Sequence, residues 1–280
     1  MRSMLILTDF SEASFRAAEY SCQLTGLLQI RRIVLYHAYQ TIVAATDLPV
    51  SPVKNSRQIY MECMESLGLL HDRLLSMLES GVKVDLVADE IFLPEGINQL
   101  CRQEEIDLIV MGMSGKSRLE KLAMGSTTAR MMETCRLPLL IVPREAIIGR
   151  RIKTLVFATD LKSISTLPVA QLHAFLDAFK ADVCVVNVET PVEEAKYSPE
   201  AKEVITGLHQ FLDKYNPAFY YIEGDDVVKS LLVFAGGHKA SLIVAVPKTH
   251  SFFSTIFHKS VCKKLAYNSP IPFLALPALQ

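Results

Sequence analysis

Two short apolar runs, each bracketed by prolines, constrain this chain more than any other feature. Leu137-Pro138-Leu139-Leu140-Ile141-Val142-Pro143 superposes without a gap on Ile271-Pro272-Phe273-Leu274-Ala275-Leu276-Pro277 at a shift of 134 positions. The same shift places Leu108-Ile109-Val110 on Leu242-Ile243-Val244. Nearer the start of each half, Leu5-Ile6-Leu7-Thr8-Asp9 matches Val156-Phe157-Ala158-Thr159-Asp160 at a shift of 151. The two shifts differ by 17, so the first half carries 17 extra residues. The weakly patterned stretch from Thr41 to Asn55, which holds Pro49 and Pro52, is the place for them. Such a repeat marks an internal duplication of one folding unit. We expect two domains, residues 1–146 and 147–280, with the junction near Arg144 to Arg150.

Each half alternates strand and helix. Met4 to Thr8 is apolar almost throughout, as in a strand covered on both faces. Ser11 is placed to cap a helix running to about Thr25, and Arg32 to Tyr39 reads as the second strand. Lys54 to Ser80 is amphipathic, with Gly81 as its closing glycine. A strand over Val82 to Asp89, a helix over Pro94 to Glu104 and a strand over Ile106 to Met111 follow. The first half closes with a helix over Ser126 to Thr134 and a strand over Leu139 to Val142. The second half is expected to repeat this, with strands near 153–159, 183–188, 218–223, 241–246 and 273–276. Apolar strands alternating with helices imply α/β domains, each with a five-stranded parallel sheet and helices on both faces. The proline-bracketed fifth strands would be edges unless they pair with each other, which would make a pseudo-dimer within one chain.

Composition removes several classes. There are 29 Lys and Arg against 30 Asp and Glu, with no basic block, which argues against a nucleic-acid binder. No run approaches the roughly 18 apolar residues of a membrane helix, and Thr8 and Asp9 interrupt the opening run too early for a signal peptide. Six cysteines without a C-x-x-C pair fit reduced thiols in a cytoplasm, and seven histidines show no zinc spacing.

Chemistry concentrates in Met111 to Thr128, MGMSGKSRLEKLAMGSTT, which follows the apolar run Asp107-Leu108-Ile109-Val110. Glycines after a buried strand let backbone N–H groups approach a ligand, and a helix starting there adds the positive end of its dipole. In an open parallel sheet, ligands bind at the carboxyl ends of strands, at a topological switch point. If the first and fourth strands are neighbours, Asp9 and the glycines flank one crevice. Gly115-Lys116-Ser117 imitates the end of a Walker A loop, but Val110 stands where that loop needs a glycine.

The spacing Gly112-x2-Gly115-x9-Gly125-Ser126, the early strand ending in Asp9 and the closing Pro138 to Pro143 strand together resemble the ATP-binding branch of the universal stress protein family. The resemblance covers both halves as folds and only the first as a site. It implies Rossmann-like domains of the adenine nucleotide alpha hydrolase type, a stress-response role, and ATP or another adenine nucleotide, with Mg²⁺, as ligand. The candidate ligand set is Thr8, Asp9, Ala38, Met111, Gly112, Gly115, Gly125, Ser126 and Thr127. Gly112 would let the strand end sit close to ribose and phosphates. Gly115, Gly125, Ser126 and Thr127 would donate to phosphate oxygens. Asp9 would accept from a ribose hydroxyl or help hold the metal, and the resemblance puts backbone near His37 and Ala38 against adenine. The competing reading of Asp9 is a helix cap, and of the glycines plain turn-forming.

In the second half, Gly112, Gly115, Gly125 and Ser126 fall on Val246, Thr249, Lys259 and Ser260, and Pro247 replaces Met113. Only Asp160 and Ser260 survive, so this half is expected not to bind nucleotide in the same manner. Its loop carries Phe252, Phe253, Ile256 and Phe257, which would fill the vacated pocket or form a contact surface. No base or nucleophile for rapid turnover is evident, so the chain reads as a regulator rather than a fast enzyme. The rival reading is an interaction or assembly protein with vestigial pockets. A third is an N-type ATP pyrophosphatase, but the loop Thr8-Asp9-Phe10-Ser11-Glu12 has no glycine for it. An unidentified protein partner and association of two chains remain open.

Overall fold

A computed structural model describes residues 1–40, 56–91, 93–113, 126–148, 151–161, 164–190, 199–247 and 259–279. The expected insertion at Thr41 to Asn55, the glycine loop after Met113, and the Phe252 to Phe257 segment lie outside these residues. In chain order the first half contains β1 (Ser3–Leu7), α1 (Glu12–Cys22), α2 (Leu24–Leu27), β2 (Arg32–Ala38), α3 (Ser56–Leu75), β3 (Lys83–Asp89), α4 (Leu93–Gln103), β4 (Leu108–Met113), α5 (Ser126–Thr134) and β5 (Leu139–Pro143). The second contains β6 (Thr154–Ala158), α6 (Val169–Phe179), β7 (Asp182–Glu189), α7 (Pro199–Leu212), β8 (Ala218–Glu223), α8 (Val227–Gly237), β9 (Leu242–Ala245), α9 (Lys259–Asn268) and β10 (Phe273–Ala275).

Two expected helices end early. The helix expected to reach Thr25 stops at Cys22 and restarts as the short α2. The one expected to reach Ser80 stops at Leu75. Gly81 therefore does not close α3. Its φ of +90° serves the turn entering β3, a conformation that costs a residue with a Cβ.

The ten strands form one sheet in the order β3-β2-β1-β4-β5-β10-β9-β6-β7-β8. Neighbours within each half run parallel. The order 3-2-1-4-5 puts the switch point between β1 and β4, where Leu7 pairs with Met111. The fifth strands meet antiparallel, with Phe273 opposite Ile141, Leu274 opposite Leu140 and Ala275 opposite Leu139. Neither strand is left as an open edge, which is the pairing their proline brackets led us to expect.

Helices cover both faces, and each face has a core that runs through both halves. On one, Ile6, Leu35, Val110 and Leu140 join Phe157, Phe175, Val244 and Leu274. On the other, Leu5, Val34, Ile109 and Ile141 join Val156, Leu231, Ile243 and Phe273. Alternation along each strand sends successive residues to opposite cores. Across the seam, Tyr20, Leu24 and Leu28 converge with Phe175 and Phe179 around a small apolar gap. On the opposite face Lys263 of α9 pairs with Glu133 of α5.

Leu140 and Leu274 are directly opposed and both buried. Truncating such a side chain loses its transfer energy and leaves a cavity. Leu274→Ala should therefore cost about 2–5 kcal/mol, read as a fall in the urea midpoint at unchanged m-value. A loss under about 1 kcal/mol would show that the seam is not packed in this way.

Candidate functional site

The site begins where β1 stops. Thr8 N–H still donates to Tyr36 O at 2.9 Å, continuing the ladder one residue past the strand. Its hydroxyl accepts from Phe10 N–H at 3.0 Å and lies 3.0 Å from the Ser14 hydroxyl. Phe10 then takes φ of +61°, left-handed for a residue with a Cβ, which turns the chain sharply into α1. Ser11 caps α1, accepting from Ser14 N–H at 3.3 Å. Asp9 is thus not the cap. Its Oδ1 accepts from Ser11 N–H at 3.0 Å, the short loop an Asx residue makes with the backbone two positions on.

Asp9 is exposed. Burial of its surroundings works to raise its carboxyl, but hydrogen bonds from Ser11 and Ser14 outweigh that and hold the group below its ordinary value. It is ionised at neutral pH and faces solvent at the carboxyl end of the sheet. Next to it in the sheet, Met111 is the last residue of β4 to pair with β1, and Gly112 pairs with Val142 of β5. Ala38, the last residue of β2, pairs with Asp89 and is half-buried. Thr127 lies exposed in α5. Thr8, Asp9, Ala38, Met111 and Gly112 therefore share the carboxyl ends of β1, β2 and β4. Gly115 and Gly125 lie outside the described residues.

Gly112 has a packing reason of its own. A Cβ there would stand 2.3 Å from Ala13 O and 2.7 Å from Ser14 N. The glycine therefore permits the close approach of the first turn of α1 to β4. Sequence reasoning also missed Ser14, which ties Thr8 Oγ1 to the carbonyl of Ser11 at 2.9 Å. The pattern Ser11-x-x-Ser14 behind Thr8 was its available signal.

The second half repeats the turn and closes the site. Leu161, matching Phe10, has φ of +55°, and its N–H donates to Thr159 Oγ1 at 3.3 Å. Thr159 N–H donates to Val186 O at 3.0 Å, as Thr8 does to Tyr36. Yet Asp160 is only 7% exposed, where Asp9 is open. Burial, with the charge of Asp160 adding, pushes the Cys262 thiol of α9 up to about 12. Val246 stands in place of Gly112, 5% exposed. In this half the first helix begins later, with α6 at Val169. The positions matching Ala13 and Ser14, Ile164 and Ser165, lie in a turn rather than a helix.

Among the described residues no group of three or more His, Cys, Asp or Glu could hold a metal ion, and no helix is long and apolar enough to cross a membrane. All six cysteines are free thiols, five of them buried.

The model of the universal stress protein family matches residues 1–143. A universal stress protein of Methanocaldococcus jannaschii is 24% identical over 145 residues, 51% of this chain and 82% of that one. The structure of a universal stress protein from Archaeoglobus fulgidus superposes with a TM-score of 0.71 at 16% identity, covering 98% of both chains. A universal stress protein structure from Pseudomonas aeruginosa, itself described as putative, gives 0.61 at 13% identity over 99% of this chain and 94% of that one. At these identities the structures bear on the fold alone.

Two outcomes test this geometry. Gly112→Ala should destabilise the protein by about 1–3 kcal/mol, because the added methyl meets backbone that cannot swing aside. Gly68→Ala, mid-helix with nothing within 4 Å of its added Cβ, should instead stabilise by about 0.5–1 kcal/mol. Paired thermal melts read the contrast, and equal effects would contradict the close packing of α1 on β4. For Asp9, whose folded pKa is depressed, the stabilising contribution is present above its ordinary value and lost as pH falls through the folded one. Between pH 6 and pH 3, wild type should lose more stability than Asp9→Asn in urea titrations, with the two curves converging at the acid end.

Proposed function

Since the chain belongs to the universal stress protein family, we propose that its first half binds one adenine nucleotide, ATP among them, and that the second half has lost this capacity. The two halves are read as domains, 1–146 and 147–280, with one site per chain. The observation that carries the reading is the contrast between two aspartates in the same turn. Asp9 is open and ionised at the end of β1, beside the strand that leads toward the glycine-rich segment, whereas Asp160, at the matching position, is buried.

The ligand would lie across the carboxyl ends of the central strands, the place open α/β sheets offer a ligand. Phosphates fall to the Gly115–Gly125 loop and the amino end of α5, where unpaired backbone N–H groups and the helix dipole favour anions. Asp9 accepts from a ribose hydroxyl or takes one position on Mg²⁺. A magnesium ion fits this donor set without a protein cage, because it keeps several waters and draws its other ligands from substrate phosphates. When bound it would neutralise phosphate charge. The chain's own residues hold the nucleotide and couple β1, β4 and the loop between β4 and α5. The described residues offer no paired nucleophile and base around Asp9, so occupancy rather than turnover is the signal, in keeping with a stress-response regulator.

Calorimetric titration with MgATP tests this. Wild type should bind one equivalent, Gly115→Val should abolish binding, and Thr249→Val, at the matching position of the second half, should leave it intact. Unchanged binding by the Gly115 variant would sink the site assignment. Purified protein that neither carries nor takes up nucleotide would instead favour an assembly protein with two vestigial pockets.

A further inference from the structure

A surface helix normally turns an apolar stripe to the core and a polar face to water. α3 meets the first condition with Cys63, Leu67, Leu70 and Leu74, all buried. It departs from the second. Met61, Leu69 and Leu75 stand on its outer side, 60%, 69% and 54% exposed. At about 100° per residue they share an arc of roughly 140° with Glu62, Glu65 and Asp72, and all three acids are exposed. The cation nearest this arc is drawn off it. Arg73 pairs with Glu19 of α1, and its guanidinium lies over the Phe15 ring, 5.7 Å from the centroid. Asp72 lies 3.0 Å from a ring nitrogen of its neighbour His71, and among the described residues no cation pairs with Glu65.

The second half shows what the fold itself needs here. α7 joins β7 to β8 as α3 joins β2 to β3. Their buried residues align, Cys63, Leu70 and Leu74 on Ala201, Leu208 and Leu212. In that register Met61, Leu69 and Leu75 fall on Pro199, Gly207 and Asp213. A helix in this place therefore folds without large apolar side chains outside, and those of α3 belong to the first half alone. A contiguous exposed apolar patch rimmed by polar residues marks an interaction site.

We propose that the outer side of α3 docks a basic amphipathic helix of a partner protein. Apolar side chains of that helix would cover Met61, Leu69 and Leu75, and lysines or arginines on its flank would meet Glu62, Glu65 and Asp72. Burial of the apolar residues supplies affinity, and the acidic flank supplies encounter rate and register. A second copy of this chain fits less well. In an antiparallel pairing of two copies, the carboxylates of one α3 would face those of the other, and like charges set together suppress association.

Fluorescence anisotropy with a labelled peptide of leucine and lysine in helical period, roughly 18 residues long, tests this on the full chain. Wild type should bind it and should not bind the same peptide with glutamate for lysine. Glu65→Lys with Asp72→Lys, and separately Met61→Ser with Leu69→Ser, should each weaken binding at least about tenfold. All four positions are exposed, so both variants should keep the wild-type melt. Glu203→Lys, at the position of α7 matching Glu65, should leave binding unchanged. No binding by wild type overturns the proposal, as does binding that the α3 variants do not weaken. Dimers of wild type in sedimentation that Met61→Ser with Leu69→Ser abolishes would assign the face to a second copy and overturn it as well.

Discussion

The structure depends on three cross-strand pairs at the centre of one sheet. Phe273, Leu274 and Ala275 face Ile141, Leu140 and Leu139, and through them two parallel sheets become one of ten strands. Parallel sheets are stable when buried on both faces, and their edges are the exposed liability. Pairing the two fifth strands removes one edge from each half. It also lets both cores run on without interruption, so that Leu140 and Leu274 share one cluster, and Ile141 and Phe273 the other. Because the pairing is antiparallel, the carboxyl ends of the two sets of strands point in opposite directions. The two potential ligand crevices thus lie at opposite rims of the molecule.

That separation lets the two halves diverge. A substitution such as Val246 for Gly112 touches only its own rim, while the seam stays packed. The β1–α1 turn survived in both, down to the positive φ of Phe10 and Leu161 and the threonine hydroxyl that accepts from each. The turn is therefore a folding element first. What distinguishes the halves is what lies above it: a full first turn of α1 over a glycine in one, a late-starting α6 and a valine in the other.

The duplicated pattern made the fold legible because periodicity and proline brackets are local. Strand after strand fell within a residue or two of its expected bounds. Helix ends were less legible: α3 stops at Leu75, although the amphipathic pattern runs on to Ser80. The site was half legible. Asp9, the glycine spacing and the contrast with the second half stand out in the residue order. The packing of α1 against Gly112 and the bond between the His37 ring and the Thr8 carbonyl depend on groups from other elements.

By itself the sequence determined the repeat, the parallel halves and which half keeps the glycines, because each is a matter of spacing along the chain. Only the tertiary structure decided that Gly112 makes way for a helix, that Asp9 is open while Asp160 is shut in, and that the His37 ring bonds the Thr8 carbonyl. Those properties belong to the space between elements. A glycine reads the same whether a phosphate or a backbone occupies the volume beside it, and only packing says which.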